Sequence, residues 1–437
     1  MKFSRKLIFA LIIFLLVSIT ICYNLNPFRG SQNVVFNSKE ASETITKKQA
    51  LEDINYVEKI IKERHIASLE GLPNEFLVQV EEEKSNLSDN ITVLELWQAI
   101  GRILSKLKDA HTSIKLVCDN EKRASFDFKM EDKDLYVIDN YGNKKPVFKI
   151  NNKDVFTLYE EFISKFSFEN EDYARNAFES YLKSFNGICF VLNELLEKDF
   201  ITIETVSSED KSKIVNDKIE YDLESNEDFE KINEVEYSID YEKSAAVIAI
   251  NTCIMNEEYK SSLKNFFSAL KDNSITNIAV DLRNNSGGNS AVIEEFIKYV
   301  DIDNYKAFSS VARYGPYTFK NSNEKHNKKY NDFLYKGNIY VLSSSKTFSS
   351  GMMFSVTLQD NNIAKVIGEP SSNSPCSYGD VINFCLPNSK LLLKTSYKKF
   401  IRPDTAVANE SIQRVDYNVK SNEALDMFYE IISKKDS

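Results

Sequence analysis

The sequence has 437 residues, of which 42% are hydrophobic and 27% are charged, so it is long enough for two or three globular domains and too apolar for a disordered protein. Its formal net charge is -10 at pH 7, and no basic run beyond the N-terminus suggests a nucleic-acid footprint. Composition therefore argues against nucleic acid as a partner.

The N-terminus is an apolar segment that differs from the rest of the chain. Lys2, Arg5 and Lys6 precede a stretch without charge that continues to Phe28, about the length of a membrane-spanning helix. The leading positive charges favour a cytoplasmic N-terminus. We therefore predict a signal anchor over residues 1–28 with the globular part outside the cytoplasm, and the alternative is secretion after signal-peptide cleavage.

Histidines and cysteines are too few and too scattered to predict a metal or redox site. The chain has 3 His and 6 Cys, and the cysteines lack C-x-x-C spacing. Most cysteines are therefore expected to be small buried apolar residues, while pairing of Cys376 with Cys385 stays open. We predict no metal and no organic cofactor.

A polar stretch at residues 29–45 is typical of a linker, and helical periodicity follows it. Apolar residues recur at three- and four-residue steps from Leu51 and again from Val93, with Ser88-Asp89-Asn90 as a candidate cap of the second helix. This predicts a helical domain over residues 46–115. Short strand-like runs and turns then predict a mixed α+β module over residues 116–235.

Strands and helices alternate from Ser244 onward. The predicted order is strand 245–250, helix 256–271, strand 277–282, helix 289–300, strand 338–343, helix 349–360 and strand 364–367. Such alternation predicts an α/β layer around a largely parallel sheet, with ligands at the carboxyl ends of the strands. We assign residues 236–437 to this domain.

Two strand-to-helix turns lie at those carboxyl ends. The first contains Gly287 and Gly288, and the second contains Ser349 and Ser350. Taken singly, such a serine is most often a helix cap and such glycines an ordinary turn. Together they predict a nucleophile, Ser349, and an oxyanion hole made by the N–H of Gly287 or Gly288 with that of Ser350.

The segments that carry these turns resemble the tail-specific, or C-terminal-processing, serine peptidases. The matching motifs, in order, are Asp281-Leu-Arg-Asn-Asn-Ser-Gly-Gly288, Thr347-Phe-Ser-Ser-Gly351, Leu358-Gln-Asp360 and Val366-Ile-Gly-Glu-Pro370. The resemblance implies a ClpP/crotonase-like core and polypeptide substrates. Relatives commonly carry a PDZ domain in the middle region, so residues 116–235 could be a degenerate PDZ-like module.

Two catalytic types occur in that family, and this chain resembles the histidine type. The lysine base of the processing branch would fall at Ser374, which excludes a Ser-Lys dyad. In the tricorn-like and retinoid-binding-protein-like branch, a histidine in an Asp-x-His-Thr segment is the base, and His111 matches that position. That branch orients its histidine with a late glutamate and a neighbouring serine, but Ala110 precedes His111 here, so the orienting residue stays open.

The resemblance and the motifs together predict a membrane-anchored, extracytoplasmic serine peptidase. It would cleave polypeptides through an acyl-enzyme on Ser349, with His111 as general base. The alternative is a catalytically inactive peptide- or ligand-binding protein on the same fold. The family's aspartate at Asp360, and Arg402, are expected to be structural, and Ser371–Ser374 is expected to be a flexible loop or a surface turn.

Overall fold

A computed structural model of the protein describes residues 5–32, 37–208, 210, 212–223 and 233–435. The helices are α1 Arg5–Leu25, α2 Lys47–Arg64, α3 Asn74–Ser85, α4 Val93–Ser105, α5 Val155–Ser164, α6 Glu171–Lys183, α7 Phe185–Leu192, α8 Glu257–Asp272, α9 Ala291–Ile297, α10 Ser350–Asp360 and α11 Ala424–Lys435.

The strands are short and lie mostly in three sheets. In chain order they are β1 Thr44–Thr46, β2 Asn90–Thr92, β3 Ser113–Lys115, β4 Lys122–Ala124, β5 Asp127–Glu131, β6 Asp134–Ile138, β7 Lys144–Ile150, β8 Lys153–Asp154, β9 Phe200–Val206, β10 Ile214–Leu223, β11 Val235–Asp240, β12 Ala245–Ile250, β13 Asn277–Asp281, β14 Asn304–Lys306, β15 Ser309–Tyr314, β16 Tyr317–Lys320, β17 Glu324–His326, β18 Asn338–Ser343, β19 Ala364–Gly368, β20 Tyr378–Cys385, β21 Leu392–Ile401 and β22 Tyr417–Asn418.

The helical segment begins each of its two predicted helices with a capping box. Thr46 caps α2 together with Gln49, and Thr92 caps α4 together with Glu95. The predicted cap of α4 at Ser88-Asp89-Asn90 is therefore wrong, because Thr92 lies one residue before the helix and Glu95 returns the hydrogen bond. Asn90 lies instead in β2, which pairs with β1.

The middle region folds as an antiparallel sheet covered by helices. Its strand order is β4-β10-β9-β7-β6-β5, with β8 paired to β7. The sheet, α5 to α7 and the helices of the preceding segment contribute to one apolar cluster that extends from Ala41 to Tyr397. The helical segment and the middle module thus share a core, and their predicted boundary at residue 115 stays a prediction.

The third region has the predicted α/β architecture with a largely parallel sheet. The strand order is β11-β12-β13-β18-β19-β22, and every neighbouring pair except β11 with β12 is parallel. The central strands are buried almost continuously, as expected for a sheet covered on both faces. Their carboxyl ends lead into the two turns that contain Gly287 and Ser349.

A second sheet in this region connects it to the N-terminal half. Its order is β16-β15-β21-β20, and β3 pairs with β21 through Ser113 to Lys115. Because β3 begins two residues after His111, this pairing brings His111 to the third region.

No helix among the residues that the structure describes is long and apolar enough to cross a membrane. The signal anchor over residues 1–28 stays a prediction.

Candidate active site

Ser349 lies at the sharp turn between β18 and α10. Its φ is 52°, a left-handed conformation that is uncommon for a residue with a side chain. Gly287 packs directly beneath it, because a Cβ on Gly287 would lie 2.7 Å from the Cβ of Ser349. The turn therefore presents the hydroxyl above the sheet, and it does so only because the neighbouring turn has a glycine.

Buried polar side chains fix the two turns to each other. Asn285 donates from Nδ2 to the Ile250 carbonyl over 2.8 Å, and its own carbonyl accepts from the Phe348 N–H over 2.9 Å. The Thr347 hydroxyl donates to the Leu282 carbonyl over 2.8 Å. These bonds join the ends of neighbouring strands, so the position of Ser349 is set by the sheet rather than by its own loop.

His111 is held by the segment around it. The Asp109 carboxylate accepts from the His111 N–H over 2.8 Å and from the Thr112 hydroxyl over 2.6 Å. The same hydroxyl accepts from the Ser396 N–H of β21 over 3.1 Å. Thr112, the residue after His111, thereby attaches the Asp109–Thr112 segment to the second sheet.

The structure brings together Ser349 and His111, which lie 238 positions apart in the sequence. The distance from His111 Nε2 to Ser349 Oγ is 3.1 Å, within hydrogen-bond range. The imidazole stacks on the Phe348 ring at 4.7 Å, and Tyr173 stacks on Phe348 at 4.8 Å. Burial lowers the pKa of His111, against the opposing charges of Asp109 and Asp380, which favours a neutral ring that can accept a proton.

Two backbone N–H groups beside Ser349 have no hydrogen-bond partner in the part of the chain that the structure describes. They belong to Gly288 and to Ser350, which is the first residue of α10. The Gly287 N–H is already used, since it donates to Asn285 Oδ1 over 2.8 Å. Of the two glycines predicted for the oxyanion hole, only Gly288 therefore has an N–H that is available within the described residues. The Ser350 hydroxyl donates to the Gly288 carbonyl over 2.8 Å, and this bond connects Gly288 to the start of α10.

The serine-rich segment Ser371–Ser374 is neither a flexible lid nor a surface turn, which corrects the sequence expectation. Ser371, Ser372 and Asn373 are buried, and the Ser372 N–H donates to the Thr347 carbonyl over 3.0 Å. The side-chain carbonyl oxygen of Asn373 accepts from the Ser349 N–H over 2.9 Å. Asn373 thus supports the strained turn, and no sequence pattern predicts this role.

A buried network of ionisable side chains lies behind His111. Asp109 is fully buried and also accepts from His65 Nε2 over 3.1 Å. Burial alone raises the pKa of Asp109, but His65, His111 and Thr112 together outweigh it and lower that pKa to about 2. His65, which lies in no motif of the sequence, therefore belongs to the surroundings of His111.

Glu169 is the second carboxyl of this network. Its Oε2 accepts from the Ser374 N–H over 2.8 Å. In the described chain, one ligand atom each of Asp109, His111 and Glu169 lie within 4.8 Å of one another, a spacing that could also hold a cation. We assign no metal there, because both Asp109 oxygens already accept hydrogen bonds and His111 faces Ser349.

The remaining predicted residues make no hydrogen bond to Ser349 within the described part of the chain. Arg402 forms two bonds to the Asp360 carboxylate, of 2.6 and 3.0 Å, and both side chains are buried, so the pair joins the end of α10 to β21. Cys376 and Cys385 are free thiols. His326 is exposed and contacts Asn304.

A polar cavity of about 340 Å³ opens directly on the pair. Ser349, His111, Gly288 and Ser350 contribute to its wall, and Met352, Met353 and Phe400 supply its apolar part. Ser349, His111 and the two residues with free N–H groups therefore line one space that a ligand could enter.

Residues 244–420 match the sequence model of peptidase family S41. No curated protein matches the sequence. Among solved structures, mature CPAF is similar over 89% of this chain and 96% of its own, with a TM-score of 0.66 at 12% identity. The photosystem II D1 C-terminal processing protease is similar over 88% of this chain and 97% of its own, with a TM-score of 0.51 at 12% identity. At these identities the likeness to the two structures concerns the fold.

Proposed function

We propose that the chain is a serine peptidase of family S41, whose sequence model matches residues 244–420, and that Ser349 is its nucleophile and His111 its general base. The observation that carries the proposal is the 3.1 Å contact of His111 Nε2 with Ser349 Oγ. A serine hydroxyl is a weak nucleophile at neutral pH, and a base at this distance can take its proton during attack.

The reaction would follow the acyl-transfer sequence. Ser349 Oγ attacks the carbonyl carbon of a peptide bond while its proton moves to His111 Nε2. The tetrahedral intermediate then collapses, and His111 gives that proton to the departing amine, which leaves an ester on Ser349. A water molecule, deprotonated by His111, hydrolyses the ester and restores the serine.

The negative charge of the intermediate would be held by backbone donors. The N–H groups of Gly288 and Ser350 are the candidates, since both are free within the described chain and both residues line the cavity. Loss of one such donor typically costs about 100- to 1000-fold in rate, so the turn geometry is as important to the proposal as the Ser-His contact.

The decisive experiment is labelling of the full-length protein with a fluorophosphonate, which reacts with activated serines. We expect labelling of the wild type and its loss in Ser349→Ala and in His111→Ala, because the first removes the nucleophile and the second its base. Ser261→Ala and His326→Ala serve as matched controls, since both residues are exposed and distant from the cavity.

The same labelling experiment distinguishes the alternative of a binding protein. A folded wild type that is not labelled under any condition would favour a catalytically inactive carrier on this fold. Labelling that persists in Ser349→Ala would place the reactive group elsewhere and reject the assignment.

We include the predicted anchor in the proposal on the basis of the sequence. The N-terminal segment has no charged residue between Lys6 and Arg29, and the apolar side chains described at Phe9 and from Ile12 to Val17 are exposed rather than packed on the fold. Exposed apolar side chains in such a row require an apolar partner. A lipid bilayer is that partner in our proposal, with the peptidase outside the cytoplasm.

A further inference from the structure

The imidazole of His111 has one ring nitrogen in use and one without a partner. Nε2 contacts Ser349, whereas Nδ1 is buried and has no hydrogen-bond partner among the described residues. If Nε2 is to accept a proton, the hydrogen of the neutral ring must be on Nδ1. A buried N–H without an acceptor is unfavourable, so the proposed base needs an acceptor behind it.

Asp109, the nearest carboxylate in sequence, is committed elsewhere. Its Oδ1 lies 4.0 Å from His111 Nδ1, too far for a hydrogen bond, and accepts from the backbone N–H of His111 instead. Its Oδ2 accepts from His65 and Thr112.

Glu169 has a carboxyl oxygen that could accept such a hydrogen bond. Its Oε2 is fixed by the Ser374 N–H, whereas Oε1 is buried and makes no hydrogen bond of normal geometry within the described part of the chain, although the Ala110 N–H lies near enough to the carboxyl to lower its pKa. A carboxyl oxygen of Glu169 lies within 4.8 Å of a ring nitrogen of His111 and of an oxygen of Asp109. A buried donor atom without an acceptor and a buried acceptor atom without a donor thus belong to two residues of the same cluster.

We propose that Glu169 is the positioning residue of His111, its carboxylate Oε1 accepting the Nδ1–H either after a small rotation of the carboxyl or through one bridging water. The inference rests on the proposed function, because it explains how His111 is kept in the state that a base requires. The Nδ1 hydrogen stays on the ring throughout the reaction. Glu169 takes no proton and instead stabilises the positive charge that His111 acquires during attack.

The ionisation of Glu169 gives the proposal a pH signature. Burial and then the negative charge of Asp109 raise the pKa of Glu169 to about 8, although the N–H groups of Ser374 and Ala110 oppose them. The other ionisable groups that face it are Tyr173 and Tyr378, and the adjoining cavity adds Glu75, Lys106 and Lys108.

The sign of the effect follows from which atom carries the hydrogen. Below its pKa, the Glu169 carboxyl would donate to Nδ1 and leave the ring hydrogen on Nε2, where it blocks the base. Above its pKa, the carboxylate accepts from Nδ1–H and frees Nε2. Reactivity of Ser349 should therefore increase as the pH rises toward about 8. Burial lowers the pKa of His111 below its usual value, so the rise toward about 8 would report the ionisation of Glu169 and not that of His111.

The test is the rate of fluorophosphonate labelling of the full-length Glu169→Gln variant as a function of pH. The glutamine carbonyl can keep the bond to the Ser374 N–H, while its amide presents a donor to Nδ1 and forces the hydrogen onto Nε2. We expect labelling to fall by about 100-fold or more, as for the loss of a general base, and the rise toward the pKa of Glu169 to disappear.

Glu179→Gln is the matched control, because Glu179 also accepts a backbone N–H, that of Met130, and also has a pKa raised by burial. It should label at the wild-type rate. If Glu169→Gln labels within about threefold of the wild type, or keeps the same pH profile, the inference fails while the proposed function stands.

A second measurement does not depend on labelling or on a variant of Glu169. The chain has only 3 histidines, so ¹⁵N spectra of the wild-type imidazoles can be assigned by substitution. Above the pKa of Glu169 we expect the hydrogen of neutral His111 on Nδ1. A hydrogen on Nε2 under those conditions would overturn the inference, whether or not the wild type is labelled.

Discussion

The conformation of Ser349, the proposed nucleophile, depends on a neighbouring residue that has no part in the proposed reaction. Ser349 has a φ of 52° and Gly287 one of 104°, and the two backbones lie so close that a methyl group on Gly287 would meet the Ser349 side chain. Strain of this kind persists only where the surroundings enforce it. Here the enforcing contacts are the packing of Gly287 and the hydrogen bond from Ser349 to Asn373.

Gly287→Ala should therefore reduce reactivity more than it reduces stability. The new Cβ would lie 2.7 Å from Ser349 Cβ and 3.0 Å from the Ser350 N–H nitrogen, so the turn must shift. We expect fluorophosphonate labelling to fall by at least about 100-fold, since a displacement of about 1 Å near a reacting group has that effect.

The control for this substitution is Gly142→Ala. Gly142 has a φ of 82°, so an alanine is strained there as well, but a Cβ would meet nothing within 4 Å. Thermal denaturation should show a modest loss of stability in both variants. Equal labelling of both would mean that crowding at Ser349 is unimportant.

The residues of the site differ in how far the sequence can reveal them. Ser349 and His111 lie in segments that resemble motifs of the peptidase family, and it is that resemblance that predicts the two as a pair; the two side chains lie in contact. Asn373 and Glu169 have no such pattern. What marks them is a hydrogen bond or an unpartnered buried atom, and both arise only when distant segments pack together.

At the level of elements, the short strand β3 sets the position of His111. It pairs with β21 through Ser113 to Lys115, and the Thr112 hydroxyl connects Asp109 to the Ser396 N–H of that strand. The proposed base is thus held in part by a strand of three residues and in part by the Thr112 side chain.

Thr112→Val should disconnect this attachment. The substitution keeps the shape of the side chain but leaves the buried Ser396 N–H unpaired, which costs about 1–3 kcal/mol in the free energy of unfolding. We expect labelling to fall by about tenfold or more, because His111 loses its fixed distance to Ser349. Urea unfolding and the labelling rate measure the two effects separately.

Thr205→Val is the comparison for that prediction. Thr205 is equally buried and donates to the Pro146 carbonyl in the middle module. Its loss should reduce stability and leave labelling unchanged. A parallel loss of labelling in both variants would show that global stability, rather than β3, controls the site.

The elements themselves are easier to predict than their ends. The pattern of apolar residues predicts the alternating strands and helices between Ala245 and Gly368 with bounds that differ from the observed ones by a few residues, but it does not predict the strands β14 to β17 between α9 and β18. The cap of α4 is misplaced because Ser88, Asp89 and Asn90 all have capping side chains, and only the capping box of Thr92 with Glu95 decides between them. The pairing of β3 with β21, far later in the chain, leaves no trace in local sequence.

At the scale of the whole molecule, the site is shared between two cores. One apolar cluster packs the helical segment and the middle module, and another packs the parallel sheet that carries Ser349. Tyr173 of α6 bridges them by stacking on Phe348 while its hydroxyl donates to the Ala110 carbonyl over 3.0 Å. Relative displacement of the two halves would separate the base from the nucleophile.

The proposed anchor also belongs to this scale. We expect the full-length protein to sediment with membranes and to resist extraction at alkaline pH, and a variant without residues 1–28 to be soluble with unchanged labelling. If the protein made from the full-length gene is recovered without membranes and its mature N-terminus lies beyond residue 28, the anchor is rejected and secretion is favoured.

The pairing of β3 with β21 also has a consequence for biosynthesis. A ribosome makes His111 early and Ser349 much later, but the strand that holds the histidine segment, Leu392–Ile401, emerges among the last parts of the chain. Until then the segment that contains the proposed base lacks the strand pairing that holds it beside Ser349. A nascent or prematurely terminated chain would therefore be inert, so the producing cell would be protected from unfinished copies by the order in which the polypeptide is made.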